Sequence, residues 1–367
     1  MAILRRILAV NAGSSSLKLR MLGPNNEVLD DATIAPWNDD DVTRWVETLP
    51  VLPDAVGHRV VHGGARREPV LLDQQVEEDL AALTPLAPIH QPLALAAIRA
   101  VRRSFPGVPA VACFDTAYHA SLPAAAATYA LPAAWRERYG LRRYGFHGLS
   151  HGYAARRAAE ILGRDRARRA VTCHLGAGAS LCASFERRSV DTTMGFTPLE
   201  GLVMATRAGS VDPGLVLWLA TEAQIAPAEI ARQLETESGL AGLTAGSGDM
   251  GDVIAARARD EPRAVLAFDV YVHRLTREIA AMTAALGGLD ALVFTGGVGE
   301  HVPEVRAEAV ARLGYLGVSI DGERNAAAAH GDADISHADS SVATMVIESR
   351  EDLEIARQTR TVVADRA

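Results

Sequence analysis

Apolar residues along this chain fall into short runs of strand length and longer stretches of helical period, separated by glycine-rich breaks. Ile7 to Leu22 reads as strand, small-residue turn, strand (ILAVN-AGSSS-LKLRML), and Ala170 to Phe185 repeats the pattern (AVTCHL-GAGA-SLCASF). In each, β-forming residues flank Gly, Ala and Ser, as in a hairpin whose turn brings backbone N–H groups close to a ligand. Two such hairpins, well separated and each opening an αβ-rich half, predict a duplicated fold with a phosphate held between the halves. Ala55 to His62 and Val108 to Phe114 read as further strands, and Leu93 to Arg103 and His151 to Leu162 as amphipathic helices. In the second half Ala264 to Leu286 is one long helical pattern. A buried strand follows at Ala291 to Thr295, then a Gly296-Gly297-Val298-Gly299 loop and a helix from Pro303 to Leu313, with proline near its first turn. The polar stretch His330 to Ser341 predicts a loop, and Ser341 to Ile347 a returning strand.

A chain of 367 residues exceeds one ordinary domain, and two domains sharing a cleft are the natural expectation. Hydrophobic residues at 49% and charged residues at 22% fit a globular enzyme rather than a disordered or fibrous chain. No low-complexity linker marks the domain boundary. The formal charge of -8 argues against a general binder of nucleic acid or membrane surface, which needs a basic face. Cys113, Cys173 and Cys182 lie in apolar runs without C-x-x-C spacing and read as reduced core thiols of a cytoplasmic protein. The opening residues faintly imitate a signal peptide, but the apolar stretch Ile7-Leu8-Ala9-Val10 is short and runs straight into Asn11-Ala12-Gly13, so a strand is expected. One oddity changes the picture. Every basic residue is arginine except Lys18, a compact charge on a flexible stem suited to reaching phosphate oxygens.

Three glycine-rich segments sit beside strands. Thr295-Gly296-Gly297-Val298-Gly299-Glu300 stands between an apolar strand and a helix, where backbone amides and a helix N-terminus bind anions. A tight β-to-α turn is the plain alternative, and neither the P-loop nor the dinucleotide fingerprint fits. His174-Leu175-Gly176-Ala177-Gly178 and Asn11-Ala12-Gly13-Ser14-Ser15-Ser16 have the same character. Among charged residues, Arg59 stands in a strand flanked by glycines, and a buried arginine needs an anionic partner. Arg207 lies among small residues that leave room for a ligand. Asp115 ends the apolar run Val108 to Phe114, at the strand end where open α/β folds bind ligands; a turn or helix cap is its alternative role. His147, in Gly145-Phe146-His147-Gly148, has glycines on both sides that permit close backbone approach. Zinc is not expected. His58 and His62 fall on a predicted strand, and His147 and His151 lack the glutamate of H-E-x-x-H. A serine hydrolase is not expected either, since no G-x-S-x-G elbow follows a strand.

Taken together the motifs resemble the acetate kinase family, within the acetate and sugar kinase, Hsp70 and actin superfamily. VNAGSSSLKL, GHRVVHGG, LAPIHQP, FDTAYHASLP, RRYGFHGLSH, HLGAGASL, SVDTTMGFTPLEGLVMATRAG, VFTGGVGE and EDLEIARQT occur in family order and cover nearly the whole chain. The resemblance implies an α/β fold of duplicated RNase-H-like (actin-like ATPase) domains with a central cleft. The first spans 1–116 plus 351–367, and the second, 117–350, binds nucleotide and dimerises. It also implies reversible phosphoryl transfer from ATP to acetate with Mg²⁺ (Mn²⁺ as alternative), in a cytoplasmic homodimer.

Site residues follow from the same resemblance. Arg59 and Arg207 look like the arginines that hold the carboxylate and the moving phosphoryl group, Asp115 like the catalytic acidic residue, and His147 like the transition-state histidine. Val61, Ile89, Phe146 and Pro198 match the pocket for the acyl methyl. Ser14, Ser16 and Lys18 match the first phosphate region. His174, Leu175, Gly176, Ala177 and Gly178, then Asp249, Met250 and Gly251, then Gly297, Val298, Gly299, Glu300 and His301 match the nucleotide loops. Asn11 and Glu351 match the metal region. The chain departs from the family pattern at Ala177, Leu149, Gln91, Ser210, Gly251 and His301. The carboxylate-handling residues are intact and the changes gather around the nucleotide. Propionate or butyrate as acceptor, or a donor other than ATP, is the alternative enzyme reading. A nucleotide sensor without turnover is the alternative of another class, and acetyl phosphate production separates it from both.

Overall fold

Strand β1 (Ile7–Ala12) runs antiparallel to β2 (Leu17–Leu22), which pairs in turn with β3 (Val28–Ile34). On its other side β1 pairs in parallel with β4 (Ala55–Val60). The edge strand β5 (Val70–Leu71) closes that side, antiparallel to β6 (Ala110–Phe114), which is itself parallel to β4. The sheet order is β3-β2-β1-β4-β6-β5. These relations come from a computed structural model of the chain, which describes residues 6–13, 16–49 and 51–365. A second sheet holds β7 (Arg169–Leu175), β8 (Ala179–Phe185), β9 (Arg188–Thr192), β10 (Ala291–Thr295), β11 (Ala333–Asp334) and β12 (Ala343–Val346), in the order β11-β12-β10-β7-β8-β9. From its far edge this is the first sheet again: an antiparallel meander, two strands parallel to its first member, and an antiparallel edge strand. The two hairpins read from the sequence are the β1–β2 and β7–β8 arms of a duplicated α/β fold.

The chain divides into two compact units. The first comprises Met1–Ala120, Phe146–Tyr153 and Arg350–Ala367, and the second Ser121–Gly145 and Ala154–Ser349. In the first, helix Gln91–Ser104 packs Ala97 and Val101 against Leu8, Val10 and Val56 on one sheet face. Helix Glu351–Ala364 covers the other face, setting Ile355 against Ala9, Val111 and Cys113. That helix lies so close that a Cβ on Gly57 would stand 2.2 Å from Thr359 Oγ1, so β4 needs glycine there. In the second unit the long helix Pro262–Leu286 packs on β8.

Three local expectations are corrected. The Gly296–Gly299 segment is not a loop but part of a helix, Gly296–His301, followed by a separate helix, Pro303–Ala311. His62 lies beyond the end of β4 rather than on it. The polar stretch after His330 is not all loop, because Ala333–Asp334 pairs with β12.

Candidate active site

Parallel neighbours in a sheet present their C-terminal ends side by side, and β1, β4 and β6 do so in the first unit. The register Val10↔His58 and Val60↔Phe114 therefore brings Asn11, Arg59 and Asp115 together. Asp115 is fully buried and Arg59 nearly so. Arg59 donates to Asp115 Oδ2 from Nη2 at 2.7 Å and from Nε at 3.1 Å, and to Asn11 Oδ1 from Nη1 at 3.1 Å. Asn11 Nδ2 donates to Glu351 Oε2 at 2.6 Å, and Arg59 Nη1 lies 3.8 Å from the same oxygen. Glu351 is the first residue of its helix, where the dipole favours a carboxylate.

Burial, joined by the nearby Glu351 charge, pushes the Asp115 carboxyl up, opposed by Arg59 and by a hydrogen bond from the Leu149 amide. Burial also weighs against the Arg59 charge, yet Asp115 and Glu351 outweigh it and hold the guanidinium above its ordinary value. Direct contact through two nitrogens keeps the pair ionised.

Helix Gly148–Leu162 begins against Asp115. Gly148 N–H donates to the Asp115 carbonyl at 3.0 Å, and a Cβ on Gly148 would stand 2.1 Å from that oxygen. His147 precedes this contact with φ +56°, in the left-handed region that few side chains adopt, and is largely buried. His119 Nε2 donates to the Phe146 carbonyl at 3.0 Å, and the Phe146 ring meets His62 edge-on with centroids 5.6 Å apart. Val61 and Phe146 are buried and Ile89 is half-buried. Gln91, one of the departures from the family pattern, accepts from His62 N–H and donates to the His62 carbonyl, fixing that turn. Asn11 and Lys18 are cross-strand partners; Lys18 is exposed. The Ser16 carbonyl accepts from Gly13 N–H at 2.8 Å. Ser14 lies outside the described residues.

The second unit brings the remaining glycine segments together. His174 and Leu175 end β7, and Gly176–Gly178 forms the tight turn into β8. Because β10 is parallel to β7, Gly296 starts its helix beside that turn, where a Cβ would stand 2.8 Å from the Leu175 carbonyl oxygen. Ala205 N–H donates to the Ala177 carbonyl at 3.1 Å, and Gly248 packs on the Ala205 carbonyl in its turn. Asp249 caps helix Met250–Arg257, accepting from Gly251 N–H at 2.8 Å and Asp252 N–H at 3.2 Å. Met250 is buried, whereas Gly251 is exposed. Arg207 Nη1 donates to the Pro198 carbonyl at 2.7 Å.

Glu300 is committed inside the protein, accepting from Gly296 N–H at 2.7 Å and Ser349 N–H at 2.9 Å. Buried Arg306 donates to the Gly299 and Glu300 carbonyls and to Asn325. Val298 and Gly299 fall within the same short helix; Gly297 has open space where a Cβ would stand. His301 is exposed, its Nδ1 3.1 Å from the Ala329 carbonyl oxygen. Sequence reasoning marked Leu149 only as a departure from the family pattern and missed the role of its backbone amide, and it missed Arg306, which no motif marks.

A family model described as the acetokinase family matches residues 46–357. The chain belongs to that family. It is 50% identical over 319 residues to the acetate kinase of Synechococcus sp., covering 85% of this chain and 78% of that one. It is 42% identical to the acetate kinase of Deinococcus radiodurans, with 98% of each chain covered. Among solved structures, the Porphyromonas gingivalis acetate kinase superposes with TM-score 0.89 at 33% identity, covering 98% of this chain and 100% of that one. A propionate kinase from Francisella tularensis gives 0.90 at 33% identity with the same coverage. Members of the acetokinase family are phosphotransferases with a carboxyl group as acceptor, and this chain carries their actin-like fold.

Proposed function

We propose that the chain transfers the γ-phosphoryl group of ATP reversibly to acetate, giving acetyl phosphate and ADP. The observation that carries this reading is the Arg59–Asp115–Asn11–Glu351 cluster at the C-terminal ends of three parallel strands. A carboxylic acid has a pKa of about 4–5, so acetate is an anion at neutral pH and needs no strong base. The obstacle is bringing one anion to another. Attack of an acetate oxygen on the γ-phosphorus in line with the departing ADP oxygen needs positive charge and N–H donors around the equatorial oxygens. Arg59, Arg207 and His147 supply them. Asp115 is engaged by Arg59 and the Leu149 amide, which supports a positioning role rather than proton abstraction.

Val61, Ile89, Phe146 and Pro198 are assigned to the acyl methyl. Ser14, Ser16, Lys18 and the amides of His174–Gly178, Asp249–Gly251 and Gly297–His301 are assigned to the nucleotide. Asn11 and Glu351 offer hard oxygen donors, one of them a carboxylate, and fit Mg²⁺, which takes few protein ligands and keeps waters and phosphate oxygens. When bound, the ion neutralises charge on the β- and γ-phosphates.

We further assign a homodimer. Helix Pro213–Thr221 has no buried residue, and its Leu217 and Trp218 are 65% and 55% exposed, an apolar face a second copy would cover. Residues 1–116 with 351–367 and residues 117–350 are taken as the two functional domains. Three buried free thiols support a reducing, cytoplasmic setting. A second reading, propionate as acceptor, is favoured by the likeness to the Francisella tularensis propionate kinase. Purified chain incubated with ATP, Mg²⁺ and acetate or propionate should yield the acyl phosphate, trapped as hydroxamate. Preference for propionate would install the second reading, and no product with either acid would overturn both.

A further inference from the structure

On the first unit's sheet, the face opposite helix Glu351–Ala364 carries a cavity of about 340 Å³. Side chains alternate along a strand, so while Gly57 meets that helix, His58 turns to the other side and lines the cavity. Val101 and Phe105 form an apolar wall, and Glu77 and Arg102 also line the space. Nearly every polar side chain on the walls is satisfied within the protein. Asp73 accepts from Val76 N–H at 2.8 Å, and Arg102 donates to Glu77, with Arg99 3.7 Å from the same carboxylate. His58 is the exception. It is 2% exposed, and neither ring nitrogen has a hydrogen-bond partner among the described residues. Native proteins leave few such groups unpaired, and an unpaired one calls for an explanation.

We propose that this cavity binds a small neutral molecule, an apolar body of about one ring carrying a single hydroxyl or amide group, hydrogen-bonded to His58. The size of the cavity sits at the low end for ligand sites, which suits one ring and excludes a nucleotide. The walls specify the rest. Val101 and Phe105 offer apolar contact, and the wall charges are engaged within the protein, Glu77 by Arg102 and Arg99 and Asp73 by the Val76 amide. Burial pushes the His58 ring down to about 3, so at neutral pH it offers one N–H donor and one lone-pair acceptor. This site is independent of the phosphoryl-transfer reading, since it uses none of the residues assigned to that reaction.

The test uses the full chain with phenol as probe and ¹⁵N spectroscopy of the histidine side chains. Phenol should shift the His58 ring resonances saturably. Benzene, which lacks the hydroxyl, should bind about tenfold more weakly, the equivalent of one hydrogen bond. Benzoate should not bind. His58→Phe should weaken phenol binding, followed by calorimetry, about tenfold to the level of benzene. Val108→Trp, at a lining position that leaves the imidazole in place, should abolish the phenol shift of the His58 resonances and decides the matter if the first variant does not fold. His58 resonances unmoved by phenol, or a soaked crystal showing only ordered water on the imidazole, would overturn the proposal.

Discussion

Arg59 holds Asp115 through two nitrogens converging on one oxygen, Nη2 at 2.7 Å and Nε at 3.1 Å from Oδ2, while its third nitrogen reaches Asn11. The guanidinium is therefore oriented before any substrate arrives, the form of preorganisation that lowers a barrier without reorganisation during the reaction. The same arrangement carries a stability cost if broken, because either partner alone would be an uncompensated buried charge.

Gly148 is the hinge of this geometry. Gly148→Ala would press a Cβ to within 2.1 Å of the Asp115 carbonyl oxygen, a backbone atom with no room to yield. It should cost about 1–3 kcal/mol of stability and displace the Leu149 amide from Asp115. Gly152→Ala is the control, its nearest contact being the Tyr118 ring at 3.2 Å. Urea denaturation of both variants should separate them.

Glu300 holds the start of its own helix. Glu300→Ala leaves the Gly296 and Ser349 amides without their acceptor, and hydrogen bonds to a charged group are worth about 1.5–3 kcal/mol. Hydrogen exchange at those two amides should accelerate in Glu300→Ala and by less in Glu300→Gln. Unchanged protection would remove Glu300 from this role.

Two buried imidazoles make the fold sensitive to acid. Burial lowers His58 to about 3 and His62 to about 4 from an ordinary 6.5. Below pH 6.5 the unfolded chain takes up protons that the folded one refuses. Their contribution is therefore complete above that pH and is lost as pH falls toward 4 and then 3. Each group should add a slope of up to about 1.4 kcal/mol per pH unit in that window. Denaturation midpoints from pH 7.5 down to about 5 should show the fall, and His58→Phe should remove part of it.

Selectivity for the base is the chain's most distinctive functional expectation. Gly251 is exposed and carries no side chain where the resemblance to the family implies an arginine near the nucleoside, so ATP and GTP should be used at comparable efficiency. Gly251→Arg meets only the Asp249 carboxylate, at 2.9 Å from its Cβ, and should tighten ATP binding by a few-fold to about tenfold, the gain of one hydrogen bond. Steady-state kinetics with both nucleotides checks this. A strong native preference for ATP would mean that other residues hold the adenine.

The fold was legible where local pattern and tertiary role agree. The β1–β2 and β7–β8 hairpins have strong β-formers around small-residue turns, and their repetition pointed to the duplication. Strand β3 was not legible, because none of its side chains is buried and its apolar residues do not alternate, and it exists by pairing with β2. The two-residue edge strands β5 and β11 are likewise made by their neighbours. Helix Gly296–His301 ran against its glycine-rich sequence, and the Glu300 carboxylate and Arg306 hold it from either end. At the site, Arg59 stood out as a charge within a strand and Asp115 as a charge at a strand end. That Asp115 would receive Gly148 and Leu149 of a distant helix was beyond any local pattern.

Turnover of Arg59→Ala and Asp115→Asn against the native chain, with thermal stability and nucleotide binding recorded on the same samples, tests the central claim most directly. Both variants should bind nucleotide and lose about 10²–10³ in kcat, the cost of one preorganised charge contact. Arg59→Lys should recover little, since an ammonium cannot reproduce the two-nitrogen contact with Asp115 and the bond to Asn11. Folded variants that form acetyl phosphate at near-native rates would contradict the account and move the reacting centre elsewhere.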